Sequence, residues 1–175
     1  MLLEVSKIKN MPVGAMDEGA LIGKVEKVII QPEEGKIIGF LVMVPGFLAQ
    51  PKVVSFQDVV SIDAQGLVIN SGNNLLDKDE IVRIGELIKT KFSLTGLPAK
   101  TKNKKYLGRV RDVVIEANSG DVIRIYVKNL WDEKIFERSM IYKISPTEVI
   151  LTFDPRKKVK DAAPAPIVAK RTEVV

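Results

Sequence analysis

The run from Gly23 to Ile30 sets Val25, Val28 and Ile30 among Lys24, Glu26 and Lys27, and β-branched residues dominate it, the pattern of a half-buried strand. Pro32-Glu33-Glu34-Gly35 then interrupts it, and a glycine after polar residues supplies the positive φ that a hairpin connection needs. Lys36 to Val44 is apolar enough for a central strand. Val53 to Ile62 and Gly66 to Ile69 predict two more, parted by the turn Asp63-Ala64-Gln65-Gly66. One segment changes period. Ile81, Ile84, Leu87 and Ile88 fall on one helical face, and Asp77 with Glu80 has capping-box spacing, so a short helix or turn is expected there. Gly85 weakens that helix by about 1 kcal/mol relative to Ala.

The strand pattern occurs twice. Ile22-Gly23-Lys24-Val25-Glu26-Lys27-Val28-Ile29-Ile30 resembles Leu107-Gly108-Arg109-Val110-Arg111-Asp112-Val113-Val114-Ile115 at a spacing of 85 residues. The match continues without gaps through Gly35/Gly120, Ile38/Ile123 and Val42/Val127, and Met11-Pro12-Val13 parallels Leu97-Pro98-Ala99 with a shift of one. A repeat that nearly fills the chain twice is its architecture. In the second copy, Met140 to Ile144 and Val149 to Phe153 predict the later strands, around the turn Ser145-Pro146-Thr147-Glu148. Five or six short strands in about 75 residues point to a small barrel or a highly curved sheet, because closure removes exposed edges.

The length of 175 residues accommodates two such units. The chain has no Cys and no His, which removes disulfides, thiolate metal sites, thiol nucleophiles and the commonest general base. Enzymatic chemistry, a cofactor and a metal site are therefore not expected. No Gly-rich phosphate loop is present, and the acidic groups Asp17/Glu18, Glu33/Glu34 and Asp77/Asp79/Glu80 lack calcium-loop spacing. MLLEVSKIKNMPVG does not read as a signal peptide, and the apolar stretch from Ile37 to Leu48 is broken by Gly39, Pro45 and Gly46, so a soluble cytoplasmic protein is expected.

Charge is uneven. Residues 1–97 hold 10 Lys+Arg against 12 Asp+Glu, residues 98–155 hold 11 against 8, and residues 156–175 hold 6 against 2. The excess sits chiefly in an Ala/Pro/Lys-rich terminal segment whose prolines disfavour a helix, read as a flexible basic tail. A second basic cluster comprises Lys100, Lys102, Lys104, Lys105, Arg109 and Arg111. It reads either as a solvated loop before a strand or as a phosphate-tracking patch, with Tyr106 alone available for stacking.

The stretches Leu21-Ile22-Gly23-Lys24-Val25-Glu26-Lys27-Val28, Gly35-Lys36-Ile37-Ile38-Gly39-Phe40-Leu41-Val42 and Val54-Ser55-Phe56-Gln57-Asp58-Val59-Val60-Ser61-Ile62 resemble the PRC-barrel pattern. The second copy offers Leu107 to Val113 and Gly120 to Ile123, and departs from the pattern at Ser139 to Ile144. The chain thus resembles tandem PRC-barrel proteins, the family of the photosynthetic reaction centre's cytoplasmic-side subunit and of the 16S rRNA-maturation factor's C-terminal domain. That resemblance implies an all-β fold of two small antiparallel barrels and a non-catalytic adaptor that docks on proteins or ribonucleoprotein. The expected organisation is barrel 1 over 1–80, barrel 2 over 81–155 with a connector at 81–90, and the tail over 156–175.

Candidate docking residues are large apolar side chains in loops. Phe47 and Leu48 lie between turn-forming Pro and Gly, and the corresponding stretch of the second copy holds Trp131, the single Trp, and Phe136. Such side chains either fold over a barrel end or anchor a partner. The leading expectation is an assembly module binding another protein through barrel edges and these loops, with homo-oligomers allowed. The alternative is an RNA- or ribosome-associated maturation factor using residues 100–111 and the tail.

Overall fold

The computed structural model describes residues 1–46 and 50–152. A short strand β1 (Leu2–Glu4) and a one-turn helix α1 (Val5–Ile8) precede the first unit. That unit holds β2 (Pro12–Ala15), β3 (Ala20–Gln31), β4 (Lys36–Met43), β5 (Lys52–Ser55), β6 (Val59–Ile62) and β7 (Leu67–Ile69). Helix α2 (Val82–Lys89) leads to the second unit: β8 (Pro98–Thr101), β9 (Tyr106–Glu116), β10 (Val122–Lys128), β11 (Glu133–Glu137), β12 (Ile141–Ile144) and β13 (Val149–Leu151).

The two units have the same strand order, β5-β4-β3-β2-β7-β6 and β11-β10-β9-β8-β13-β12. Each contains one parallel pair, β2 with β7 and β8 with β13, among antiparallel neighbours. The second copy therefore builds its later strands despite the departure at Ser139 to Ile144. The expected unbroken strand from Val53 to Ile62 is interrupted instead by a 3₁₀ turn at Phe56–Asp58, where the Ser55 hydroxyl accepts the Gln57 N–H at 3.4 Å. Arg138–Met140 does the same in the second unit. This turn carries the chain from one edge of the sheet to the other. Among the described residues no ladder joins β5 to β6 or β11 to β12, so the units are sheets with separate edges rather than hydrogen-bond-closed barrels.

Helix α2 begins later than its capping pattern suggests. Glu80 Oε1 does accept the Asp77 N–H at 2.8 Å, but the two residues close an isolated turn, and the helix starts at Val82. Its expected apolar face forms: Ile81, Ile84, Leu87 and Ile88 cover Ile29, Leu41 and Val53 on the outer face of the first sheet. Gly85 is required for that packing, because a Cβ there would stand 2.6 Å from the Lys78 carbonyl oxygen.

The units face each other across a local pseudo-two-fold axis. The Ile37 N–H donates to the Gly120 carbonyl and the Val122 N–H to the Gly35 carbonyl, both at 2.9 Å. Donors and acceptors are each separated by the repeat spacing, so this is an isologous contact made within one chain. Gly35 abuts Ile144 and Arg138 of the second unit, and Gly120 abuts the Phe56 ring of the first. Both glycines have positive φ, 61° and 74°, as the hairpins require.

The segments leading into the units are exchanged. α2 precedes the second unit and packs on the first, while β1 precedes the first and pairs antiparallel with β9 of the second, Leu3 opposite Ile115. Buried Asp112 on β9 fastens this strap, accepting the Ser6 backbone N–H at 3.1 Å and the Ser6 hydroxyl. Packing thus differs from the chain-order division at residue 80. One apolar core runs through both units, from Ile8, Val25 and Phe40 to Val113, Ile125 and Phe136.

Candidate functional site

Among the described residues the most exposed apolar feature is the β10–β11 hairpin tip. Asn129 builds it: its N–H donates to the Asp132 carbonyl at 2.9 Å, and its side-chain Oδ1 accepts the N–H groups of Trp131 at 2.8 Å and Asp132 at 2.9 Å. Asn suits such a turn because its short side chain mimics a backbone carbonyl. Two ion pairs brace the base, Lys134 with Asp132 at 2.6 Å and Arg111 with Glu133 at 3.0 Å. The Lys134 ammonium holds the Asp132 carboxyl below the usual carboxylate range. The turn presents Leu130 at 92% and Trp131 at 93% exposure, so neither contributes to the core. An amphipathic aromatic held on a braced turn loses little conformational freedom on docking, the property that makes Trp a frequent interface anchor.

Phe136 does not belong to this surface. Residues 133–137 form β11 rather than a loop, and Phe136, opposite Ile125, takes an inward position and is fully buried. Phe47 and Leu48 lie outside the described residues, as does the basic tail 156–175. The first unit's corresponding pole is nevertheless apolar, with exposed Leu21 and Met43 flanking a hollow of about 540 Å³ that also includes Val44 and Pro45. β4 and β10 both run from the central turns out to these poles, so the two poles lie at the hairpin ends away from the inter-unit contact.

The basic cluster is largely committed to its own fold. Lys100 pairs with Glu148 at 2.7 Å, Lys102 stands 3.9 Å over the Tyr142 ring, Arg109 donates to the Gly96 carbonyl at 2.8 Å, and Arg111 pairs with Glu133. Lys104 and Lys105, on the loop before β9, are the members whose ammonium groups contact no partner among the described residues. The register of β9 with β10 puts that loop at the same end of the sheet as the Trp131 tip. Elsewhere the acidic groups serve turns and ion pairs: Glu18 Oε1 accepts the Gly72 N–H at 2.8 Å, Glu80 closes the turn at Asp77, and Glu34, Asp77 and Asp79 pair with Arg83, Lys52 and Lys89.

A second feature has no obvious signal in the sequence. Gln31, the last residue of β3, is buried at 8% exposure, and its Oε1 has no hydrogen-bond partner among the described residues. It lines a cleft of about 730 Å³ between β6 and the second unit's turn 117–119, closed on one side by Ile81 and Ile84. A Gln followed by Pro and two Glu reads as a turn flank, and tertiary packing buries it.

Residues 2–76 match the model of the PRC-barrel domain. No curated protein matches the chain. The matched residues take in the first unit, and the second unit repeats its strand order.

Proposed function

We propose that this chain is a non-catalytic cytoplasmic assembly module that docks on another protein through the Leu130-Trp131 tip, with the apolar pole of the first unit as a second contact. A PRC-barrel domain is in general an interaction or assembly module, which supports the class of function. The observation that carries the reading is the tip: two large apolar side chains, each more than nine-tenths exposed, on a turn braced by Asn129 and two ion pairs. A fold gains nothing from such exposure, whereas a partner pocket does. Two poles at separate hairpin ends suit a module that joins two surfaces, and in this reading the second unit is a second PRC barrel.

The test is affinity capture from native lysate, with and without RNase, comparing the wild type with Leu130→Ser/Trp131→Ala. The docking reading expects specific protein partners on the wild type, lost from the variant while the melting temperature is unchanged. Partners retained by the variant, or ribosomal components recovered only without RNase, would overturn it and direct attention to Lys104 and Lys105.

A further inference from the structure

We propose that the partner of the Leu130-Trp131 tip is a second copy of this chain, which receives the tip in the apolar hollow at the pole of its first unit. The inference rests on the reading of the tip as a docking element and names what it docks on.

The duplication puts tip and hollow at equivalent places. Lys24 stands opposite Met43 in the first unit, and 85 residues further on Arg109 stands opposite Lys128 in the second. Beyond those pairs the two hairpins differ in form. In the second unit Asn129 closes a turn that projects Leu130 and Trp131. In the first unit the residues equivalent to Asn129-Leu130 are Val44-Pro45, which with Pro12, Leu21 and Met43 wall the hollow of about 540 Å³. A hollow of that size holds a drug-sized group, so an indole fits within it. One pole is projecting and apolar, the other hollow and apolar. The bridge between Lys36 and Asp121 is antiparallel, so β4 and β10 leave it in opposite directions and a tip cannot enter the hollow of its own chain.

Charge selects the same partner. The turn between β2 and β3 carries Asp17 and Glu18, whereas the equivalent turn between β8 and β9 carries Lys102, Lys104 and Lys105, all of them exposed. Ala15 opposite Ala20 and Lys100 opposite Tyr106 place each turn at the same end of its sheet as the pole. Glu18 Oε1 accepts the Gly72 N–H and keeps its negative charge. Lys24 and Glu26, which line the hollow, offset each other. The tip thus arrives with ammonium groups beside it, and the hollow waits with carboxylates beside it. Tip against tip, or hollow against hollow, would bring like charges together.

The contact is heterologous, since each copy gives its tip to one neighbour and its hollow to another. Such association continues past two copies, into an open chain or a closed ring. One indole and one leucine side chain bury far less than the roughly 1,200 Å² of a stable complex, so the association is weak and shows at high concentration.

The test is analytical ultracentrifugation of the purified full chain over about 5 to 500 µM, the range in which so small a contact populates. The proposal expects the weight-average mass to climb with concentration past that of a dimer. Trp131→Ala and Leu21→Asp should each remain monomeric; both positions are exposed, so neither substitution disturbs the core, and thermal melts verify this. An equimolar mixture of the two variants should form a dimer and stop there, because one supplies an intact hollow and the other an intact tip. Lys104→Glu with Lys105→Glu should weaken the wild-type association about threefold or more. A wild type that stays monomeric, variants that associate as it does, or a mixture that fails to dimerise would overturn the proposal. A monomeric wild type whose lysate partners are still lost on Leu130→Ser/Trp131→Ala would overturn self-association alone and leave the docking reading standing with a different protein as partner.

Discussion

Gly120→Ala probes the contact that joins the two units. Gly120 has φ 74°, and a Cβ there would stand 3.0 Å and 3.1 Å from two carbons of the Phe56 ring. Gly19 is the control, with φ 59° and nothing within 4 Å of a built Cβ. Placing Ala at positive φ costs about 1–2 kcal/mol, offset by about 0.4–1 kcal/mol from the stiffer unfolded chain, so Gly19→Ala should cost about 1 kcal/mol. Gly120→Ala adds an overpacking cost of about 1–3 kcal/mol, because the Phe56 ring, which packs against Phe40 at 6.2 Å between centroids, must give way by a few tenths of an ångström. The expected total is about 2–4 kcal/mol, at about 2–4 °C in Tm per kcal/mol for a chain of this size. Urea unfolding followed by far-UV circular dichroism measures it, since exposed Trp131 is a poor reporter of folding. In a Phe56→Leu background the smaller side chain relieves the contact, and the cost of Gly120→Ala should fall towards that of Gly19→Ala. Equal costs for the two glycines in the wild type, or no dependence on residue 56, would refute the described packing of the units.

Three further outcomes test other parts of the structure. Gly85→Ala, which helix propensity alone would favour by about 1 kcal/mol, should destabilise the protein in thermal melts, because its Cβ meets the Lys78 carbonyl at 2.6 Å. Asp112→Ala removes the acceptor of both Ser6 groups and should cost about 3 kcal/mol, with hydrogen exchange at residues 1–10 accelerating before the rest of the chain unfolds. Gln31→Met replaces an unpaired buried acceptor with an apolar side chain of similar length. It should raise stability by about 1–2 kcal/mol, read as an increased urea midpoint with an unchanged slope.

The hairpins were legible because their signal is local. Gly35 and Gly120 follow polar residues between β-branched runs, and the positive φ they supply is where the structure turns. The repeat spacing carried further, since it foretold two units of five or six short strands each where the second copy's own residues were less telling. The 3₁₀ break at Phe56–Asp58 was hidden because Val-Ser-Phe-Gln-Asp-Val-Val keeps enough alternation to read as one strand. The exchange of leading segments was hidden for another reason: the contacts that hold Leu2 to Glu4 on the second sheet, such as Asp112 with Ser6, join residues 106 positions apart. Of the docking residues, Trp131 is placed at the surface, but Phe136 belongs to a strand whose inward position only register assigns. Gln31 was out of reach because a Gln before Pro and two Glu reads as a turn flank, and its burial is set by tertiary packing.

The most direct test of the assembly reading is in-cell photo-crosslinking with p-benzoylphenylalanine at position 130, with positions 104 and 78 as comparisons. The account predicts a protein adduct from position 130 that is absent from position 78 and abolished by Trp131→Ala. Adducts confined to RNA at position 104, or a position 130 that traps nothing beyond the position 78 background, would contradict it.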